Sequence, residues 1–134
     1  MDLLSRPTWP REEDATSYID GFVIAVPTTK KEAYRTMAEK TAPIFFAHGA
    51  LRLMETWEDD VPHGKLTDFH RAVQATPEEA VVFSWIEWPS REARDAGMKA
   101  FMDDPRLKEF TDMPFDGARM IFGGFTPLLD MRPD

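Results

Sequence analysis

Hydrophobic residues alternate along the chain or run together in five segments that are rich in β-branched and aromatic side chains. Such segments are typical of β-strands. The predicted strands are Tyr18–Val26, Leu51–Trp57, Phe69–Ala75, Ala80–Trp88 and Arg119–Leu128, of which the third is short. The segment at 80–88, AVVFSWIEW, has the strongest strand character in the chain.

Apolar residues recur at helical spacing between the first two of these strands. Thr29-Lys30-Lys31-Glu32 matches a capping box, in which a Thr hydroxyl and a Glu carboxylate satisfy free backbone N–H groups. Pro43 lies inside the helix and removes one backbone hydrogen bond. His48-Gly49 ends the helix, because glycine adopts the left-handed conformation that closes helices.

A second helix is predicted after Ser90, a preferred N-cap residue, and Asp104-Pro105 begins a further helical turn. We interpret the order as β-α-β-β-α-β with an extra turn before the last strand. This is the split βαβ, ferredoxin-like arrangement of the α+β class.

The first strand is apolar on both of its faces. Phe22, Ile24 and Val26 alternate with Val23 and Ala25, and the strand at 80–88 has the same property. Strands that are buried on both faces lose the usual polar alternation. Two helices cover only one face of such a sheet, so the sequence predicts a homodimer joined through the other face.

The predicted domain occupies residues 18–130. Residues 1–17 contain two prolines and the charged run at 11–14, which predict a loose N-terminal arm, and residues 131–134 form a tail.

The chain has 134 residues, a formal net charge of −8 and no cysteine. An acidic protein repels phosphate backbones, so nucleic acid is not an expected partner. The absence of cysteine excludes disulfides, thiol nucleophiles and Cys-ligated metals. The sequence has neither a signal-peptide core nor an apolar run of membrane-spanning length, which predicts a cytoplasmic protein without membrane contact.

Several motifs resemble the YbaA-like bacterial family. They are Val81–Ile86, Asp104-Pro105-Arg106 and above all Met113–Phe125 (MPFDGARMIFGGF), with further similarity at Tyr18–Phe22 and Gly64–Phe69. The resemblance covers about residues 18–129. It implies a dimeric α+β barrel, the fold shared with antibiotic-biosynthesis monooxygenases and stress-response barrel proteins, and it implies no particular activity.

Arg71 and Arg119 are candidate ligand-binding residues, because both are predicted to lie within strands. A charged side chain there must reach solvent, a carboxylate or a ligand. If the two guanidinium groups point into the barrel, they could hold an anionic ligand. The alternative is an ion pair with a carboxylate, for which the candidates are Glu55, Glu87 and Asp116.

Trp85 is the third candidate, since strand aromatics either line an apolar ligand pocket or form ordinary core. His48 is the fourth, although a position at a helix C-terminus explains it structurally. His63 and His70 flank a loop rich in aspartates, and two histidines with a carboxylate could bind a divalent metal, but their seven-residue spacing matches no ligand motif. The sequence therefore predicts neither a metal site nor a cofactor.

Three functions remain open at this stage. The first is a homodimeric barrel that binds a small aromatic or anionic molecule. The second is a cofactor-independent, monooxygenase-like enzyme acting on an aromatic substrate, an analogy that rests on fold alone. The third is a non-catalytic structural or interaction dimer. Whether the chain is an enzyme at all is not decided by these residues.

Overall fold

The structure, a computed structural model, describes residues 17–133. Four strands form one antiparallel sheet in the spatial order β2-β3-β1-β4. The elements are β1 (Tyr18–Pro27), α1 (Lys31–Ala47), β2 (Arg52–Trp57), α2 (Phe69–Ala72), β3 (Glu79–Trp88), α3 (Arg91–Met102) and β4 (Ile121–Phe125), with short 3-10 turns at Thr28–Lys30, Pro105–Glu109 and Gly117–Arg119. This order and sheet confirm the predicted ferredoxin-like α+β fold.

One face of the sheet is covered by α1 and α3. Ile24 and Val26 of β1 pack with Val82 of β3 and with Tyr34 of α1. Towards the other end of the sheet, Trp88 packs with Tyr18, Ala50 and Ile86. These residues follow the two-residue period of their strands, so the apolar positions that share a face meet in one layer.

The opposite face, here called the open face, carries Ile19, Val23, Phe83, Trp85, Ile121 and Phe125, which share one side of three neighbouring strands. Val73, which directly follows α2, covers Ala25 and Val81 at one end of this face. Elsewhere large apolar side chains stay accessible, with Phe83 45% exposed and Phe125 62% exposed. The doubly apolar pattern of β1 and β3 therefore leaves an apolar surface that the rest of residues 17–133 does not cover.

The predicted third strand at Phe69–Ala75 is wrong, because residues 69–72 form α2. Asp68 explains the difference. Its carboxylate accepts a hydrogen bond from the backbone N–H of Arg71 and so caps a helical turn that the aromatic and β-branched composition obscures. Without this segment, four strands remain in the order β-α-β-β-α-β.

Two further expectations are corrected. Arg71 lies in α2 and Arg119 lies in the 3-10 turn that precedes β4, so neither arginine is within a strand. The capping box at Thr29 is not formed, because Thr28–Lys30 already turns as a 3-10 helix and α1 begins without a side-chain cap.

Other terminal signals agree with the structure. The Ser90 hydroxyl accepts from the Ala93 N–H at the start of α3, and Asp104 caps the turn at Pro105–Glu109. Gly49 has a φ of 106°, the left-handed conformation expected after α1.

Gly97 brings α3 unusually close to its neighbours. A Cβ atom at this position would lie 2.5 Å from the His48 carbonyl oxygen and closer still to the Trp88 ring. Only a residue without a side chain permits this spacing, so Gly97 fixes how near α3 approaches β3 and the end of α1.

Nearly all of the predicted N-terminal arm, residues 1–17, lies outside the described residues. The domain limits at 18 and 130 stay a prediction. Within residues 17–133, no helix has the length and apolar character needed to cross a bilayer.

Candidate functional site

A cavity of about 340 Å³ lies between the sheet and the helices. Its wall is mostly apolar and contains many flexible side chains from α1, α3 and the segment that follows α3. The lining includes Phe22, Ile24, Met37, Phe45, Leu53, Ile86, Met98, Phe101, Met113, Phe115 and Met120. The volume is at the lower end of the range for small-ligand pockets.

Glu55 and Tyr34 form a polar cluster in this apolar wall. The Tyr34 hydroxyl donates a hydrogen bond of 2.6 Å to Glu55 Oε1. Burial raises the pKa of the Glu55 carboxyl, while hydrogen bonds from Tyr34 and Ser84 partly oppose that rise. Burial, together with the neighbouring Glu55 carboxylate, also raises the pKa of Tyr34 above its usual value. The Tyr34–Glu55 pair thus places a desolvated acid with hydrogen-bonding capacity in the wall of an otherwise apolar cavity.

The same pair also lines a groove of about 450 Å³ along the outer side of α1 and β2. Ala38 and Leu53 contribute to both spaces as well. Trp57 lies at the groove under the Lys31 ammonium, which is 5.4 Å from the ring centroid. Tyr34 and Glu55, with Ala38 and Leu53, therefore lie between the inner cavity and a surface groove.

Arg119 is far from a free anion-binding position. Its Nη1 and Nη2 atoms donate to the two carboxylate oxygens of Glu79 at 2.8 and 2.7 Å, and Nε donates to Asp116 at 3.0 Å. Nη1 also donates to the carbonyl oxygen of Gln74. The hydrogen bond from Arg119 lowers the pKa of Glu79 to about 2. Of the ion-pair partners predicted from sequence, Asp116 is found, whereas Glu79 takes the place of Glu55 and Glu87.

The other candidates are also dispersed. Arg71 is half-exposed and donates from Nη1 to the carbonyl oxygen of Lys65. His48 Nε2 lies 2.8 Å from Asp104 Oδ2, where it ties the end of α1 to the turn after α3. Asp104 also binds Arg106, and this interaction, with help from His48, depresses the pKa of the Asp104 carboxyl. Neither Arg71 nor His48 lines the cavity.

Trp85 lies on the open face and not in the cavity. It lines a shallow groove of about 530 Å³ there with Phe83, Ile19, Ile121 and Phe125. The structure thus places the four sequence candidates, Arg71, Trp85, Arg119 and His48, in four separate surroundings. Their roles in ligand binding stay predictions that no shared geometry supports.

The sequence reasoning missed Glu55 and Tyr34 as site residues. One signal was available, since Glu55 is an acidic residue inside the strand sequence RLMETW. Its register opposite Ser84 places it on the helix-covered face, where a lone carboxylate needs a partner. Tyr34 could not be paired with it before the helix position was known.

A second polar cluster lies outside the cavity. His63, Asp68 and His70 each offer one ligand atom, and these atoms lie within 4.8 Å of one another. The loop between β2 and α2 folds back at Gly64, whose N–H donates to Asp68. Sequence spacing alone did not reveal this proximity.

Solved structures share this architecture. A mutant of SnoaB, a cofactor-independent oxygenase from Streptomyces nogalater, matches with a TM-score of 0.57 and 15% identity, covering 89% of this chain and 100% of that chain. A dimeric ferredoxin-like protein from an uncultured marine organism has a TM-score of 0.56 and 9% identity, covering 89% and 94%. At these identities the likeness establishes the fold alone.

Sequence relatives are much closer. The Uncharacterized protein YbaA of Escherichia coli strain K12 is 60% identical over 114 residues, which cover 84% of this chain and 97% of the relative. The same figures hold for the protein of that name from Shigella flexneri. The model of the family described as "Protein of unknown function (DUF1428)" matches residues 17–117. The chain therefore belongs to the DUF1428 family, with the YbaA proteins among its members.

Proposed function

We propose that this chain is a homodimeric small-molecule-binding protein and that its ligand occupies the cavity between the sheet and the helices. The single observation that carries the proposal is the Tyr34–Glu55 pair in an apolar wall. Apolar cavities with a few convergent polar groups are the usual form of small-ligand sites. The ligand that fits is a small, mostly apolar ring compound with one hydroxyl group, which donates to Glu55.

This chemistry narrows the ligand class expected from sequence. A carboxylate in the wall disfavours an anionic aromatic, because two like charges in a low-dielectric space repel each other strongly. A neutral hydroxyarene instead gives the buried carboxylate a further donor. We therefore expect neutral, phenol-like ligands held by Glu55 rather than anionic ligands held by Arg71 or Arg119.

Binding of 2-naphthol, naphthalene and 2-naphthoate tests this idea by isothermal calorimetry. We expect wild-type protein to bind 2-naphthol at least about tenfold more tightly than naphthalene, since a hydrogen bond to a charged group contributes about 1.5–3 kcal/mol. Binding of 2-naphthoate should be weakest. In Glu55→Leu the preference for naphthol should disappear while naphthalene still binds.

Glu92→Gln, on the exposed first turn of α3, is the matched control and should bind like the wild type. Equal affinity for naphthol and naphthalene in the wild type would remove Glu55 from the site. If none of these compounds binds, the result would favour the non-catalytic interaction dimer.

The dimer part of the proposal rests on the open face. Its aromatic and aliphatic side chains form a continuous apolar surface, and Phe69 of α2 extends it by an edge-to-face contact with Phe83. Large exposed apolar patches of this kind mark interaction surfaces. A second copy of the sheet would present an equally apolar surface, and the marine structural neighbour is described as dimeric.

Sedimentation equilibrium at micromolar concentration tests the dimer. We expect the wild type to have the mass of a dimer and Phe83→Glu to have the mass of a monomer, because two buried unpaired carboxylates would face each other across the interface. Leu66→Glu is the control, since Leu66 is exposed on the loop before α2 and does not line the open-face groove. A wild-type monomer, or a dimer that survives Phe83→Glu unchanged, would contradict the assignment.

An enzymatic function is the second candidate, and the raised pKa of Glu55 is the observation that favours it. A carboxylate of raised basicity beside a bound hydroxyarene is suited to accept its proton. SnoaB is described as a cofactor-independent oxygenase. Oxygen consumption that depends on the bound hydroxyarene and is absent in Glu55→Leu would support this candidate over simple binding.

A further inference from the structure

The loop that connects β2 to α2 brings together three side chains of metal-binding type. The ligand atoms of His63, Asp68 and His70 lie within 4.8 Å of one another. The two imidazole rings stack with their centroids 4.4 Å apart, and His63 Nδ1 is 3.7 Å from Asp68 Oδ2. None of the three residues lines the cavity or the open-face groove.

The protonation of His70 follows from its neighbour Glu58. Glu58 Oε1 accepts from the Val81 N–H at 2.8 Å and lies 3.0 Å from His70 Nε2. A carboxylate only accepts hydrogen bonds, so Nε2 of His70 must carry the hydrogen. In the neutral ring the other nitrogen, Nδ1, then has a free lone pair. Within the described residues this Nδ1 is buried without any hydrogen-bond partner.

Asp68 is held in a fixed orientation beside these rings. Its Oδ1 accepts from the Arg71 N–H at 2.7 Å, and its Oδ2 accepts from the Gly64 N–H at 3.1 Å. Each carboxylate oxygen has two lone pairs, so Oδ2 retains one for a further partner. The Arg71 guanidinium is 3.7 Å from Oδ2 and is half-exposed, which allows it to turn towards solvent.

We propose that His63, Asp68 and His70 bind a divalent transition-metal ion. Two neutral imidazoles and one carboxylate are a donor set of Zn²⁺ and of Fe²⁺. The Glu58–His70 hydrogen bond is the arrangement that commonly orients a metal-bound histidine from behind. An ion at Nδ1 of His70 also gives that buried atom the partner it lacks.

The geometry requires only a small adjustment. Ligand atoms around an ion with bonds of about 2.1 Å are roughly 3–4 Å apart, somewhat closer than the present arrangement. His63 is 77% exposed, whereas the His70 side chain is only 12% exposed. Rotation of the exposed His63 side chain would unstack the two rings and allow its imidazole nitrogen to face the same ion as Asp68 and His70, with water completing the coordination.

The proposal replaces the sequence-based expectation that the chain has no metal site. The seven-residue spacing of the two histidines is not a ligand motif on a helix or strand. The fold at Gly64 and the capping of α2 by Asp68 supply the proximity instead.

The test uses tag-free full-length protein, treated with a chelator and then titrated with Zn²⁺ by isothermal calorimetry. We expect one equivalent to bind to the wild type and the affinity to fall at least tenfold in His63→Ala. His63 is exposed, so its removal should leave the urea midpoint of the metal-free protein unchanged. His48→Ala is the matched control, because His48 binds Asp104 in another part of the molecule.

Co²⁺ provides a second readout. Its visible absorption should change on addition to the wild type and to His48→Ala, but not on addition to His63→Ala. Failure of the wild type to bind Zn²⁺ saturably would overturn the proposal. Unchanged affinity in His63→Ala would also overturn it, since the ion would then be held elsewhere.

Discussion

Replacement of Trp88 with alanine should lower the free energy of unfolding by about 3–5 kcal/mol, the usual cost of deleting a fully buried large aromatic ring. Trp88 is 0% exposed and lies where β3, α3 and the end of α1 meet. Its Nε1–H donates to Asp20 Oδ2 at 2.9 Å. The substitution leaves both a cavity and a buried carboxylate that has lost a donor, so two costs add.

Urea denaturation at fixed protein concentration measures this effect, and Trp88→Phe separates its two parts. The phenylalanine variant keeps most of the ring packing but not the hydrogen bond. It should therefore lose only about 1–3 kcal/mol. A loss below about 1 kcal/mol for Trp88→Ala would show that this corner of the core is not the packing centre described above.

Arg119→Met should lower the melting temperature by roughly 5–10 °C, because it breaks several charge-assisted hydrogen bonds at once. The substitution removes both donors to Glu79 and the donor to Asp116. Glu79 is part-buried beside Arg119, and leaving this carboxylate without its charged partner is costly. Arg91→Met is the matched control, since the pair between Arg91 and Asp95 is exposed and its loss should change the melting temperature little.

The effect of Arg119→Met should depend on pH. Hydrogen bonds from Arg119 lower the pKa of Glu79 to about 2 in the folded protein, from an ordinary value of 4.5. A carboxyl with a lowered pKa adds stability above its unfolded-state pKa and loses it as pH falls towards the folded-state value. The difference between wild type and Arg119→Met should thus be largest near neutral pH and shrink between about pH 4.5 and 2.

Neutralising the orphaned acid gives a further check. Glu79→Gln introduced into Arg119→Met should recover part of the lost stability, because the remaining buried group is then uncharged. A double variant less stable than Arg119→Met would contradict this account of the pair.

Sequence patterns predicted the sheet and the two long helices because burial imposes strict periods on them. β1 and β3 are apolar on both faces and end at clear breakers, so their assignment did not depend on distant contacts. Phe69–Ala75 shows the limit of this approach. Its composition favours a strand, whereas one hydrogen bond accepted by the Asp68 side chain favours a helical turn. Composition alone does not show which of these two effects is stronger.

The candidate site was less predictable because it depends on pairs that are distant in sequence. Tyr34 and Glu55 meet only after α1 packs on β2, and Glu79 meets Arg119 only after the 3-10 turn forms before β4. Trp85 and Trp88 look alike in the sequence, yet their opposite parity in β3 places one on the open face and the other in the core. The alternation of side chains along β3 could be predicted from the sequence, but the face of the sheet that the helices cover could not.

The close approach at Gly97 has a consequence for the selectivity of the cavity. Met98, Phe101 and Met102 of α3 form part of the cavity wall, while Gly97 sets the height of that helix above β3. A larger residue at position 97 would lift the helix and widen the space beneath it without altering any cavity-lining side chain. The size of the cavity is thus governed by a residue outside its lining, so under the proposed function divergence at position 97 would change which ligands fit while the Tyr34–Glu55 contact is preserved.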